Sequence, residues 1–162
     1  MTEKTGSSTT DIVDIALDER TVARRSAEVE RERNVAIFDL LEENHFVLLN
    51  GNEGPYRLKM AIRESRLIVD VHAAEGALLE QISVQLSAFR TLVRDYFMVC
   101  ENYFKALKHA MPSHIETLDM GRRGLHDEGS EMLRDSLSGK VELDLNTARR
   151  LFTLLCVLHF RG

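Results

Sequence analysis

The sequence predicts an α+β fold: a small antiparallel β-sheet of about three to five strands, covered by about four helices. Two patterns and one length predict it. Apolar residues alternate with polar ones between residues 56 and 86, whereas the flanking segments repeat their apolar residues every three or four positions. A chain of 162 residues is near the common size of one domain, so residues 11–162 are expected to fold as a single unit behind a polar tail, 1–10.

The elements follow in chain order. Asp11–Asp18 is short and β-branched at Ile12, Val13 and Ile15, which suits an edge strand. From Ser26 the pattern becomes helical, with Val29, Ala36, Ile37, Leu40 and Leu41 on one face and Glu28, Glu30, Arg31, Glu32 and Arg33 on the other. Ser26 is the expected N-cap of this helix (27–43), acids occupy its first turn, and Asn44 ends it. His45–Leu49 is a short apolar run halted by the turn formers Asn50 to Pro55. Tyr56, Leu58, Met60 and Ile62, then Leu67, Val69 and Val71, then Ile82, Val84 and Leu86 share one face of successive strands. The sheet is therefore expected mainly within residues 45–86, with Glu64-Ser65-Arg66 as a turn. Ser87 is expected to cap a helix over 88–109, whose stripe of Phe89, Leu92, Val93, Tyr96, Phe97, Cys100, Tyr103, Phe104 and Leu107 reads as core. Further helices are expected over 113–137 and 146–160, the last apolar almost all round and capped by Asp144 or Asn146. So little polar surface means central burial or a partner's surface.

Composition excludes several classes of function. No apolar stretch reaches the roughly 20 residues that cross a bilayer, and MTEKTGSSTT carries no apolar export segment. Both point to a cytoplasmic protein with no membrane role, in which Cys100 and Cys156 are reduced core residues. The formal net charge of −5 argues against nucleic acid as a partner.

The most distinctive segment is Asp119–Glu131, DMGRRGLHDEGSE. Three glycines stand there among two arginines, a histidine and four acids. Each glycine costs about 1 kcal/mol in a helix, so either the chain leaves helical geometry or something approaches closely. Gly121 and Gly124, flanking Arg122 and Arg123, could offer free amides to an anion; alternatively the arginines pair with Asp119, Asp127 or Glu128 and hold a turn. On a helix His126 would face Ser130, with Asp127 placed to orient the imidazole. The segment contains no H-E-x-x-H and no G-x-S-x-G, so no metal, cofactor or catalytic residue is assigned. Three arginine doublets, Arg24-Arg25, Arg122-Arg123 and Arg149-Arg150, would need carboxylates or a bound anion wherever two of them converged.

The runs DIALDERTVARRSAEVERERNVAIFDLLEENHF, DYFMVCENYF, DMGRRGLHDEGSEMLRDSLSGKVELD and TARRLFTLLCVLHFRG fall between Asp14 and Gly162 and belong to a likeness that covers nearly the whole chain from Asp11 to Gly162. They resemble an alphaproteobacterial family, number 0262 in the series of uncharacterised protein families. That resemblance implies a bacterial, cytoplasmic, single-domain protein and carries no activity with it. Two expectations about function follow from the residues. One is a non-enzymatic regulatory or interaction module, with a protein partner or homodimer on the first or last helix. The other is a phosphate- or nucleotide-binding protein, an enzyme in one version, with Arg122, Arg123, Gly121, Gly124, His126, Arg149 and Arg150 as its anion-binding residues.

Overall fold

The computed structural model describes residues 11–20, 26–109 and 112–159. The expected tail 1–10, the doublet Arg24-Arg25 and the expected helix end at Phe160 lie outside them.

The strands of the main sheet are β1 (Ile12–Leu17), β3 (Tyr56–Arg63), β4 (Arg66–Ala73) and β5 (Leu78–Gln85), in that spatial order. The expected meander is β3-β4-β5, antiparallel throughout, with Leu58 opposite Val71 and Val69 opposite Ile82. The alternating apolar residues share its buried face: Tyr56, Leu58, Met60, Leu67, Val69, Val71, Ile82 and Val84. Glu64 and Ser65 make the β3–β4 turn with φ of 52° and 63°, the left-handed pair that matches strand twist in a two-residue hairpin.

Two features modify the antiparallel sheet expected mainly within residues 45–86. β1 adds to β3 in parallel, Ile15 opposite Leu58, so the sheet is mixed. A parallel neighbour needs a long crossover, and helix α1 (Ala27–Glu42) lies in that crossover. The run after Asn44 leaves the meander altogether: β2 (Phe46–Leu48) pairs with β6 (Val141–Leu143) in a separate two-stranded sheet. Its three residues run buried, half-buried, buried, those of β6 buried, exposed, buried, and Phe46 lies opposite Leu143.

The helical layer is α1, α2 (Arg90–Lys108), α3 (Pro112–Leu137) and α4 (Leu145–His159). Ser26 caps α1, its Oγ accepting from the Val29 amide at 3.2 Å. Asp144 caps α4, its Oδ1 accepting from the Thr147 amide at 2.9 Å. Ser87 is not the cap expected of it. It opens a single 3-10 turn, Ser87–Phe89, whose buried Phe89 leads into α2 with no side-chain cap. In the α2 stripe Leu107 is exposed, while Leu92, Val93, Tyr96 and Cys100 are buried. α4 is the central helix, packed against α1 and α3, with Leu151, Phe152 and Leu154 to Leu158 all buried. Its apolar surface is thus covered by its own chain.

The three glycines do not break the chain: α3 runs unbroken through Gly121, Gly124 and Gly129. Only Gly129 answers to close approach, since a Cβ there would clash with Cζ of the fully buried Phe152. Gly124 faces open space. The two positions should therefore respond oppositely to alanine. Gly129→Ala should destabilise by about 2 kcal/mol, overpacking outweighing the gain in helix propensity. Gly124→Ala should stabilise by roughly 0.5–1 kcal/mol. Urea midpoints shifting the same way in both variants would contradict this.

Candidate functional site

The helical layer leaves a cleft of about 300 Å³ lined by residues of α1, α2, α3 and α4. Arg122, Arg123 and His126 reach it from α3, Arg149, Arg150 and Thr153 from α4, and Tyr96 from α2. Arg31, Glu32, Val35, Ala36 and Asp39 form its α1 wall. Two of the three arginine doublets therefore meet in one concavity, with His126 between them in the chain. Gly121 and Gly124 do not line it. Inside an unbroken helix their amides are committed to helical hydrogen bonds, which removes the expected backbone nest.

The convergence is neutralised in part. Asp119 serves both members of one doublet, accepting from Arg122 Nη2 at 2.5 Å and lying 3.1 Å from Arg123 Nε. Asp127 pairs with Arg149, and Asp39 lies 3.8 Å from Arg150. Arg122 is the better fixed of its doublet. Its side chain is 24% exposed against 71% for Arg123, and its guanidinium stands 4.6 Å over the Tyr103 ring. Arg122 Nε is nevertheless a buried donor without a hydrogen-bond partner. Glu32 also stands apart from the ion pairs: it has no hydrogen bond or ion pair among the described residues. Burial pushes its carboxyl above the ordinary range, and Arg122 draws it back. With Arg31 of the α1 wall counted, five arginines stand against four carboxylates around the cleft.

His126 is held by α4 rather than by Asp127, which corrects the expected orientation of the imidazole: Asp127 is taken by Arg149. Thr153 Oγ1 donates to the Arg149 carbonyl at 3.2 Å and lies 2.8 Å from His126 Nε2. The threonine proton being spent, Nε2 is the donor and Nδ1 the acceptor of a neutral ring. Ser130 does face the ring, Oγ standing 3.4 Å from Nδ1, but its proton goes to the His126 carbonyl at 2.7 Å. Burial first, then Arg149, push the imidazole down to about 4. It is therefore uncharged at neutral pH and contributes shape and one acceptor rather than a cation. Neither cysteine offers a thiolate, because burial pushes Cys100 up to about 12 and Cys156 well above its ordinary value. Among the described residues no group of three or more His, Cys, Asp or Glu is placed to hold a metal ion, and no helix is long and apolar enough to cross a membrane.

The sequence marked the arginines and the histidine but missed the α1 wall, Tyr96 and Thr153. Glu32 read as one charge on the polar face of the first helix, and Asp39 was not marked at all. Only their proximity to α4 makes them part of a cleft.

Comparison with known proteins places nearly all of the chain in one family. The model of an uncharacterised protein family, UPF0262, matches residues 9–161. A UPF0262 protein of Rhodospirillum rubrum is 54% identical over 151 residues, covering 93% of each chain. One from Mesorhizobium japonicum is 52% identical, covering 93% of this chain and 94% of its own. One from a Ruegeria species is also 52% identical, covering 93% of this chain and 98% of its own. No solved structure matches. With its whole described fold inside the match, the chain belongs to the uncharacterised protein family UPF0262.

Proposed function

We propose that the protein binds a small phosphate- or carboxylate-bearing metabolite in the cleft between α1, α3 and α4. The observation that carries this reading is the meeting of Arg122, Arg123, Arg149 and Arg150 on the walls of one concavity. Bringing like charges together costs stability unless something is gained, and bidentate guanidinium contacts to an oxyanion are the usual gain. The unpartnered Arg122 Nε supports it, as a buried donor without an acceptor costs about 1–3 kcal/mol that a reoriented contact to a ligand recovers. Size favours a small molecule over a nucleotide. About 300 Å³ is the lower end of ligand-holding pockets, and the nearby rings are occupied, Tyr96 by His126 and Phe152 and Tyr103 by Arg122.

A second reading, a regulatory or interaction module, keeps one observation. Val35 and Phe38 on α1 are 52% and 64% exposed, and Val35 borders the cleft. The other half of that reading, an apolar α4 awaiting a partner, is supplied by the fold itself.

Thermal shift of the purified protein with inorganic phosphate, short phosphorylated or dicarboxylic acids and nucleotides separates the two. A ligand at 100 times its Kd adds about 2.7 kcal/mol to native stability, a rise of roughly 5–10 °C for a chain of this size. The small anions should give such a shift, nucleotides a smaller one, and Arg122→Ala/Arg123→Ala should abolish both. Flat melting curves with every anion, together with a mass that rises with concentration in sedimentation, would favour the interaction reading.

A further inference from the structure

The acids around the cleft are not equivalent. Asp119 is taken by Arg122 and Arg123, Asp127 by Arg149 and Asp39 by Arg150. Glu32 alone faces the cleft without an ion pair or hydrogen bond among the described residues. It stands on the α1 wall, whereas the Arg122-Arg123 and Arg149-Arg150 doublets stand on α3 and α4. A purely anionic ligand would satisfy the arginines and bring its charge toward an unpaired carboxylate in a partly desolvated site, where like charges repel strongly. A ligand carrying a cation beside its anion meets both.

We propose that the cleft selects a small zwitterion, with its phosphate or carboxylate on Arg122 and Arg123 and its ammonium group on Glu32. The inference rests on the anion-site reading and deepens it by naming the ligand class. In this arrangement the arginines supply the affinity and Glu32 the selection. A hydroxyl in place of the ammonium would leave the carboxylate desolvated and its charge unmatched, and an alkyl group would meet it with nothing. The cleft volume limits the ligand to a short backbone between the two charges. Selection by an unpaired charge of this kind works mainly against wrong ligands, because the analogue lacking the matching group leaves a buried polar group unsatisfied.

The matched pair 2-aminoethyl phosphate and ethyl phosphate differs by one ammonium group and tests the proposal by calorimetry at pH 7. The wild-type protein should bind 2-aminoethyl phosphate about tenfold tighter or more, the size of one charge-assisted contact. Glu32→Gln is isosteric and removes no hydrogen bond or ion pair among the described residues, only the longer-range attraction to Arg122, so it should fold as the parent does, which a circular dichroism melt verifies. In that variant the ratio of the two affinities should fall to about one, while ethyl phosphate binds as well as before or better. Arg122→Ala/Arg123→Ala should lose both ligands. Equal affinities in the wild type, or a preference for 2-aminoethyl phosphate that survives Glu32→Gln, would overturn the zwitterion and leave the anion site standing. Binding of neither phosphate would overturn both.

Discussion

Replacing Asn44 by alanine should lower native stability by about 4 kcal/mol, the largest loss expected from any single polar side chain in this fold. Asn44 is 3% exposed and stands two residues beyond α1. Its Oδ1 accepts from the Ile12 amide at 2.8 Å, and its Nδ2 donates to the Ile12 carbonyl at 3.0 Å and to the Leu40 carbonyl at 2.8 Å. With Ile12 the amide group behaves as a strand neighbour does, exchanging both backbone bonds at the start of β1. With Leu40 it satisfies one of the carbonyls that a helix end leaves over. Alanine would strand three backbone groups where water has little access, at about 1–3 kcal/mol each before relaxation. Asn44→Asp separates the terms. A carboxylate still accepts from the Ile12 amide but cannot donate to either carbonyl, so at neutral pH it should be at least as damaging as alanine. Urea unfolding gives the magnitude, and hydrogen exchange should show the β1 amides losing protection before those of β3 and β4. A loss below about 1 kcal/mol in the alanine variant would mean that water replaces the amide group without strain.

Asn44 also shows what sequence reasoning can and cannot reach. Its type and place mark the end of α1, and α1 does end there. That the same side chain clamps β1, 32 positions earlier in the chain, has no local signature. The pattern repeats throughout the fold. The β3-β4-β5 meander was legible because each strand spans eight residues, long enough to establish a period of two, and because each turn is local. The four helices were legible from their stripes. The parallel β1–β3 pairing and the β2–β6 pair depend on contacts between distant segments, and three-residue strands are too short to carry a period. In α3 helix propensity pointed the wrong way: three glycines suggested a break, yet the helix spans 26 residues. Packing overrides propensity there, since only glycine at 129 admits the Phe152 ring. The cleft divides in the same manner. Adjacent arginines are conspicuous in any sequence, whereas Glu32 is one more charge in AEVERERN until α1 lies against α4.

His126 should make the protein acid-sensitive, by about 2 kcal/mol between pH 7 and pH 5 and about 3 kcal/mol by pH 4. The groups facing it set the sign. Arg149, Arg150 and Thr153 face it from α4, Tyr96 packs on it from α2, and Arg122, Asp127 and Ser130 flank it on α3. Burial and the three arginines disfavour its charged form and outweigh Asp127, holding the folded imidazole near 4 against an ordinary value of 6.5. The unfolded chain therefore takes up a proton as pH falls through 6.5 while the folded chain does not. The contribution is intact above pH 6.5 and is lost progressively toward pH 4. Glu32 works in the opposite direction: its raised folded value means that the native state gains a proton first, which adds stability as pH falls. The wild-type curve mixes both effects, so the informative quantity is its difference from His126→Gln, which retains a donor for Thr153 and does not titrate. That difference should shrink by about 2 kcal/mol from pH 7 to pH 5 in urea unfolding, and parallel curves would show that the imidazole is not held neutral. An anion held by the arginines acts in reverse, offsetting the positive field on the ring and raising its value. The NMR titration of His126 should then move toward 6.5 with ligand bound, and by linkage binding at the arginines should strengthen as pH falls through that interval.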